Sequence, residues 1–154
     1  LQPDATPISK ALSRAGVPYS AEVEGLAGVV VRVPPDAVGA ALAALRDSER
    51  RYEFMVDLFG IDTGEAIDVV YFLRSLGSDD EVKVRTTLQY GGDLASVWKL
   101  YPAALMPERE CAEMFGLTLS GHPNPKRLLT TDKHDTPLLL KSVAIRTPEE
   151  VRHR

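Results

Sequence analysis

The densest run of chemically capable side chains is Glu108-Arg109-Glu110-Cys111-Ala112-Glu113, preceded by Pro107. Carboxylates grouped this way could share acid/base work, one holding a proton while another gives it up. The same spacing suits an exposed helix. Pro107 starts it, Glu108 and Glu110 lie in the first turn at the positive helix end, and Arg109 and Glu113 form an i,i+4 ion pair. The segment holds no nucleophile with an adjacent base, so spacing alone favours the structural reading. Cys111 has no His in its segment and falls with Met114 and Phe115 on the apolar side, as a small buried hydrophobe would; Gly116 ends the helix. His122 sits in Gly121-His122-Pro123, where Gly frees the backbone before it and Pro restricts it after. A His held so can bond a carbonyl or carboxylate, and local pattern reads it as a structural turn residue. His134 falls in a polar loop and His153 at the terminus, and neither suggests chemistry. Gly91-Gly92 lacks the further glycines and Lys-Ser/Thr pair of a phosphate loop and reads as a turn. Trp98 and Tyr101 read as a packing pair against a sheet.

The elements that position these groups follow from the remaining pattern. The 154 residues include one Cys, three His and one Trp, are 44% hydrophobic and carry a net charge of −4. That length and apolar content fit a single globular core. One Cys excludes an internal disulfide framework, a zinc ribbon and a self-contained iron–sulfur site, and three scattered His argue against a His-based metal site. The negative charge argues against a nucleic-acid partner held through phosphates. No apolar stretch approaches a membrane span, and no cationic-then-apolar leader pattern opens the chain, which leads to the expectation of a soluble protein of a reducing compartment. The charge is unevenly spread. Residues 1–120 hold 11 basic and 18 acidic side chains, a balance of −7, whereas residues 121–154 hold 7 and 4, a balance of +3.

Thr6 as cap, Pro7, then Ile8, Ala11, Leu12 and Ala15 predict a first helix stopped by Gly16. Period-two patterning from Ala21 to Val33 around a Gly25-to-Gly28 turn predicts a hairpin. Pro34-Pro35-Asp36 opens a second helix with Val38, Ala41, Leu42 and Leu45 on one face. A third strand is expected from Tyr52 to Ile61, with Tyr52, Phe54, Val56 and Leu58 on its inner face. After a turn at Asp62–Glu65, Val69 to Leu73 reads as a strand buried on both faces. Beyond Gly77-Ser78-Asp79-Asp80, Glu81 to Tyr90 alternates cleanly. Leu94 to Tyr101 is read as a short helix, and the prolines beyond Gly121 exclude long regular structure. Short mixed runs with tight turns predict an α+β fold, a mainly antiparallel sheet with helices on one face. The expected division is an α+β domain over residues 1–120 and an extended basic tail over 121–154.

The run Glu108-Arg109-Glu110-Cys111-Ala112-Glu113-Met114-Phe115-Gly116, followed by Gly121-His122-Pro123, resembles the signature of the thirty-kilodalton subunit of respiratory complex I, the NADH:quinone oxidoreductase, and of its homologues in group 4 membrane-bound nickel–iron hydrogenases. That pattern is Glu-Arg-Glu, two free positions, an acid, two apolar residues, six free positions and His, then three free positions, a basic residue, one free position and an aliphatic. Glu113, Met114, Phe115, His122 and Leu128 fill it, and the element order upstream agrees, so the resemblance covers residues 5–130. It departs at Lys126, where the pattern has Arg, and at Pro137-Leu138-Leu139-Leu140-Lys141-Ser142, where complex I members carry Pro-Leu-Arg-Lys-Asp-Tyr.

The resemblance implies a cofactor-free subunit of the hydrophilic arm, on the cytoplasmic face of the membrane. Iron–sulfur clusters are expected in neighbouring subunits, with flavin and quinone, or nickel–iron, depending on the complex. The implied partners are the large catalytic subunit and the small iron–sulfur subunit. The residues expected to meet them are Glu108, Arg109, Glu110, Glu113, His122, Pro123, Lys126, Arg127, Leu138, Leu139 and Leu140. The tail departures point toward a diverged relative, a group 4 hydrogenase or a ferredoxin- or cofactor F420-linked complex. A separate alternative is a stand-alone enzyme using Glu110, Glu113 and His122.

Overall fold

The computed structural model describes residues 4–24, 28–131, 133 and 135–144. His134 and His153 lie outside them, as do residues 25–27 of the turn predicted from Gly25 to Gly28 and residues 145–154 of the predicted tail. Helix α1 (Thr6–Arg14) is followed by strands β1 (Ser20–Glu24) and β2 (Gly28–Arg32), which pair antiparallel. Asp4, not Thr6, serves the helix start: its carboxylate accepts the Thr6 N–H at 2.9 Å. A 3₁₀ turn over Pro35–Ala37 leads into α2 (Val38–Arg46), which buries Val38, Ala41, Leu42 and Leu45 as its spacing predicts.

Strands β3 (Phe54–Asp62), β4 (Ile67–Arg74) and β5 (Glu81–Leu88) complete a five-stranded sheet in the order β1-β2-β5-β4-β3. Every pairing in it is antiparallel except that of β2 with β5. The fold is therefore the expected α+β class with a mainly antiparallel sheet. Register aligns Val31, Val84, Tyr71 and Leu58 across the strands. These residues share one core with Ile8 and Leu12 of α1, Leu42 and Leu45 of α2, and Cys111 and Phe115 of the third helix. Val30 and Val70, which alternate with them, are buried outside that core, so the helices cover one face.

The inner face of β3 differs from its sequence pattern. Met55 and Leu58 point inward, whereas Phe54 and Val56 are exposed, because a register shift between Met55 and Asp57 inserts an extra residue. A bulge resets the two-residue alternation that the prediction extends through the strand. Val69 to Tyr71 of β4 are buried on both faces, as expected.

The stretch from Leu94 to Tyr101 is not a helix. Its start forms β6 (Asp93–Ala95), paired parallel with β7 (Thr118–Ser120), and a second 3₁₀ turn occupies Pro102–Ala104. The final helix, α3 (Leu105–Phe115), begins two residues before Pro107 and ends at Gly116, whose φ of 69° is the left-handed stop. Among the described residues no helix is long and apolar enough to cross a membrane.

Candidate functional site

The β6–β7 pair decides what surrounds α3. It brings the Ser96–Trp98 turn to the start of that helix and sets Gly121-His122 beside it, with the Ser96 N–H donating to the Ser120 carbonyl at 2.8 Å. Glu108, in the first turn of α3, is fully buried there. One of its carboxylate oxygens accepts the Val97 N–H at 2.6 Å and the other accepts the Ser96 hydroxyl. The nearby His122 Nε2 lies 3.9 Å away. Burial pushes the Glu108 carboxyl above its usual range, opposed by the bonds from Ser96 and Val97 and by His122.

The His122 ring is itself enclosed. Its Nδ1 accepts the Asn124 N–H at 3.0 Å, which leaves Nε2 to carry the proton and donate to the Leu105 carbonyl at 2.9 Å. The Trp98 indole N–H donates to the Gly121 carbonyl at 3.1 Å and holds the turn from its other side. Trp98 thus secures the His122 turn, while Tyr101 is buried and donates to the Tyr52 carbonyl at 2.7 Å.

Arg109 and Glu113 do not form the expected ion pair. Both reach the segment after β7 instead. Arg109 donates from Nε to the Lys126 carbonyl and from Nη2 to the Arg127 carbonyl, each at 2.7 Å. Glu113 accepts the backbone N–H groups of Leu128, Leu129 and Thr130 at 2.6, 3.0 and 2.7 Å, and the Thr130 hydroxyl besides. Successive amides converging on one carboxylate make a strong anion nest, and the guanidinium fork satisfies the carbonyls just before it. Burial would raise the Glu113 pKa, yet the bonds from Thr130, Leu128 and Leu129 together hold it down to about 2.

Beyond the loop, the chain returns to the body. Pro137 packs on Gly116, where an added Cβ would come within 2.6 Å of the proline ring. The Leu139 N–H donates to the Met114 carbonyl at 3.0 Å, taking an acceptor that the helix end leaves open. The Lys141 N–H reaches Asp62 Oδ2 at 2.7 Å. Leu140 packs against the core, whereas Leu138 and Leu139 stay exposed. Arg127 is half-buried, with Nη1 on the Thr130 hydroxyl at 3.2 Å, while Glu110, Pro123 and Lys126 are exposed.

The structure therefore brings Glu108 together with His122, and Arg109 and Glu113 together with residues 126–130. It gives Glu110 no partner among the described residues. Cys111 is buried, and burial pushes its thiol up to about 12, so it stays protonated at neutral pH. No group of three or more His, Cys, Asp or Glu placed to hold a metal ion occurs among the described residues. Sequence reasoning missed Ser96, Thr130 and Asp62. A Ser two residues before Trp98 and a Thr beyond Leu128-Leu129 are ordinary surface residues until the fold sets a carboxylate against each.

The chain resembles known proteins over most of its length. It is 34% identical over 125 residues to the C subunit of the NADH-quinone oxidoreductase of Rhodobacter capsulatus, covering 78% of this chain and 62% of that one. With the corresponding protein of Moorella thermoacetica it shares 33% over 112 residues, or 71% of this chain and 75% of the relative. With that of Roseobacter denitrificans it shares 35% over 100 residues, and there the match spans only 50% of the relative. The chain thus spans about half to three quarters of the relatives' lengths. A chain from the membrane-bound sulfane sulfur reductase, an archaeal respiratory membrane complex, has the same fold, with a TM-score of 0.64 at 22% identity over 75% of this chain and 69% of that one. The family model for the 30 Kd subunit of respiratory-chain NADH dehydrogenase matches residues 31–148, and with the signature residues placed as described, the chain belongs to that family.

Proposed function

We propose that the protein is a cofactor-free structural subunit in the peripheral arm of a complex I-like membrane-bound oxidoreductase. In this reading it docks on the catalytic large subunit and touches the small iron–sulfur subunit, on the cytoplasmic face of the membrane. Electrons pass through clusters in those neighbours toward quinone, coupled to ion translocation, and this chain fixes their geometry. One observation carries the reading: Glu108, Arg109, Glu113 and His122 all spend their hydrogen bonds within this chain, on its backbone and on Ser96, Met106 or Thr130. Side chains so committed shape a surface rather than react.

The body over residues 1–120 then acts as a rigid platform, and residues 121–154 as the docking segment. Glu108, Arg109, Glu113 and His122 position that segment. Glu110, Pro123, Lys126, Arg127, Leu138 and Leu139 supply contacts, and Leu140 anchors the tail. A groove of about 510 Å³, bordered by Arg109, Glu113, Pro125, Asp135 and Pro137, gives the segment a concave side.

The tail favours a second reading within the same class. Lys126 offers a point charge where the family pattern has a bidentate Arg, and Leu138 to Ser142 replace the usual tail. These changes fit a homologous subunit of a group 4 nickel–iron hydrogenase, or of a ferredoxin- or F420-linked complex. The stand-alone enzyme is disfavoured, because His122 faces Glu108 and Glu113 is saturated by the loop. Purification of the tagged chain from its native membranes tests the proposal. Iron–sulfur subunits should accompany it, with a flavin-bearing NADH module under the first reading and nickel under the second. A chain recovered alone, or one that turns over substrate alone, would overturn it.

A further inference from the structure

A cleft of about 90 Å³ lies between α3 and edge strand β3, bounded by Phe59, Gly60, Pro107, Glu110, Phe115 and Leu139. Its lining among the described residues is apolar except for Glu110. That carboxylate is exposed and has no hydrogen bond or ion pair among the described residues, while Arg109 beside it is committed to the Lys126 and Arg127 carbonyls. Met106, one turn earlier on the same side of α3, is also exposed.

The cleft is held in shape. At Gly60 an added Cβ would fall 2.5 Å from the Phe115 ring, so helix and strand are in closest approach there. Leu139 is 54% exposed, yet its own N–H is tied to Met114 and its neighbours Pro137 and Lys141 are tied to Gly116 and Asp62. An exposed leucine fixed beside an apolar cleft has already lost the freedom that binding would otherwise cost it.

We propose that this cleft receives an apolar side chain from a basic amphipathic segment of a neighbouring subunit, whose Lys or Arg pairs with Glu110. The inference rests on the docking reading above and names the chemistry of the partner. Charge complementarity selects the occupant, since one unpaired carboxylate in an apolar lining asks for one cation next to an apolar anchor. The chain's own Leu138-Leu139-Leu140-Lys141 has that chemistry, but it is fastened to its own body and is not free to enter a second copy.

A benzophenone photocrosslinking amino acid placed at Leu139 of the tagged chain, irradiated within native membranes, tests this. The expected adduct is with another subunit, within a few residues of a Lys or Arg. Glu110→Lys should lower the chain recovered per complex more than about tenfold, Glu110→Gln less, and reversing the partner's cation to Glu should restore Glu110→Lys. Both sites are exposed, so the isolated variants should melt with the parent. Adducts only with a second copy, no adduct, or undiminished recovery of Glu110→Lys would overturn the inference while leaving the docking reading intact. A parent chain that joins no complex would overturn both.

Discussion

Arg109 and Glu113 stand one turn apart on α3, where opposite charges commonly pair on an exposed helix. The fold gives each a better set of partners. A carboxylate can take several amides, a guanidinium can take two carbonyls, and residues 126–130 present both sets in sequence. Replacing Glu113 by Ala leaves those amides without their acceptor. It should cost roughly 2–3 kcal/mol, or about 5–10 °C in melting temperature. Because the folded pKa is lowered, the stabilisation is present in full above the usual value of 4.5 and disappears as pH falls toward about 2. Parent and Glu113→Gln should therefore differ in stability at pH 7 and converge near pH 2 in denaturant titrations.

Glu108 behaves in the opposite sense. Burial raises its carboxyl pKa, so ionisation costs stability at neutral pH and protonation relieves that cost as pH falls through the folded value. Glu108→Gln keeps an oxygen for Val97 and an N–H for Ser96. It should stay within about 1 kcal/mol of the parent, whereas Glu108→Ala should lose roughly 2–3 kcal/mol. Thermal melts of the two variants check this. An alanine variant as stable as the parent would deny Glu108 any part in holding the Ser96–Trp98 turn.

At the scale of elements, α3 presses against β3 at Gly60 so closely that the glycine is required by space rather than by backbone angle. Gly60→Ala should destabilise by roughly 1–3 kcal/mol as the Phe115 ring is displaced. The loop after β7 depends on Arg109 as a fork. Arg109→Lys should fail to restore what Arg109→Ala loses, because one ammonium cannot serve two successive carbonyls in that geometry. Faster amide hydrogen exchange at residues 126–130 in both variants, with the sheet core unchanged, is the expected signature. Local pattern carries α1, α2, β4 and β5, since each buries a face written into its own spacing. It fails at β3 because a bulge interrupts the alternation, and at Leu94–Tyr101 because β6 at its start pairs with β7, 25 residues later. The site was legible as a list of residues but not as an arrangement. Nothing in the order Glu-Arg-Glu says that Glu108 turns inward, Arg109 turns to the loop and Glu110 stays in solvent.

For the whole molecule, the proposed role makes residues 1–120, with a balance of −7, a platform and residues 121–154, with a balance of +3, its docking segment. In that role Glu108, Arg109, Glu113 and His122 hold the docking segment in place and Glu110 offers a contact, so their removal should act on assembly and not on electron transfer itself. Activity per assembled particle separates the two. Glu110→Ala, Glu113→Ala and His122→Ala should be introduced into the native complex, and electron-transfer rate should be divided by the amount of intact particle recovered. That ratio should equal the parent's for every variant, however little particle forms. A variant that assembles at parental stoichiometry and turns over more slowly would contradict a purely structural role.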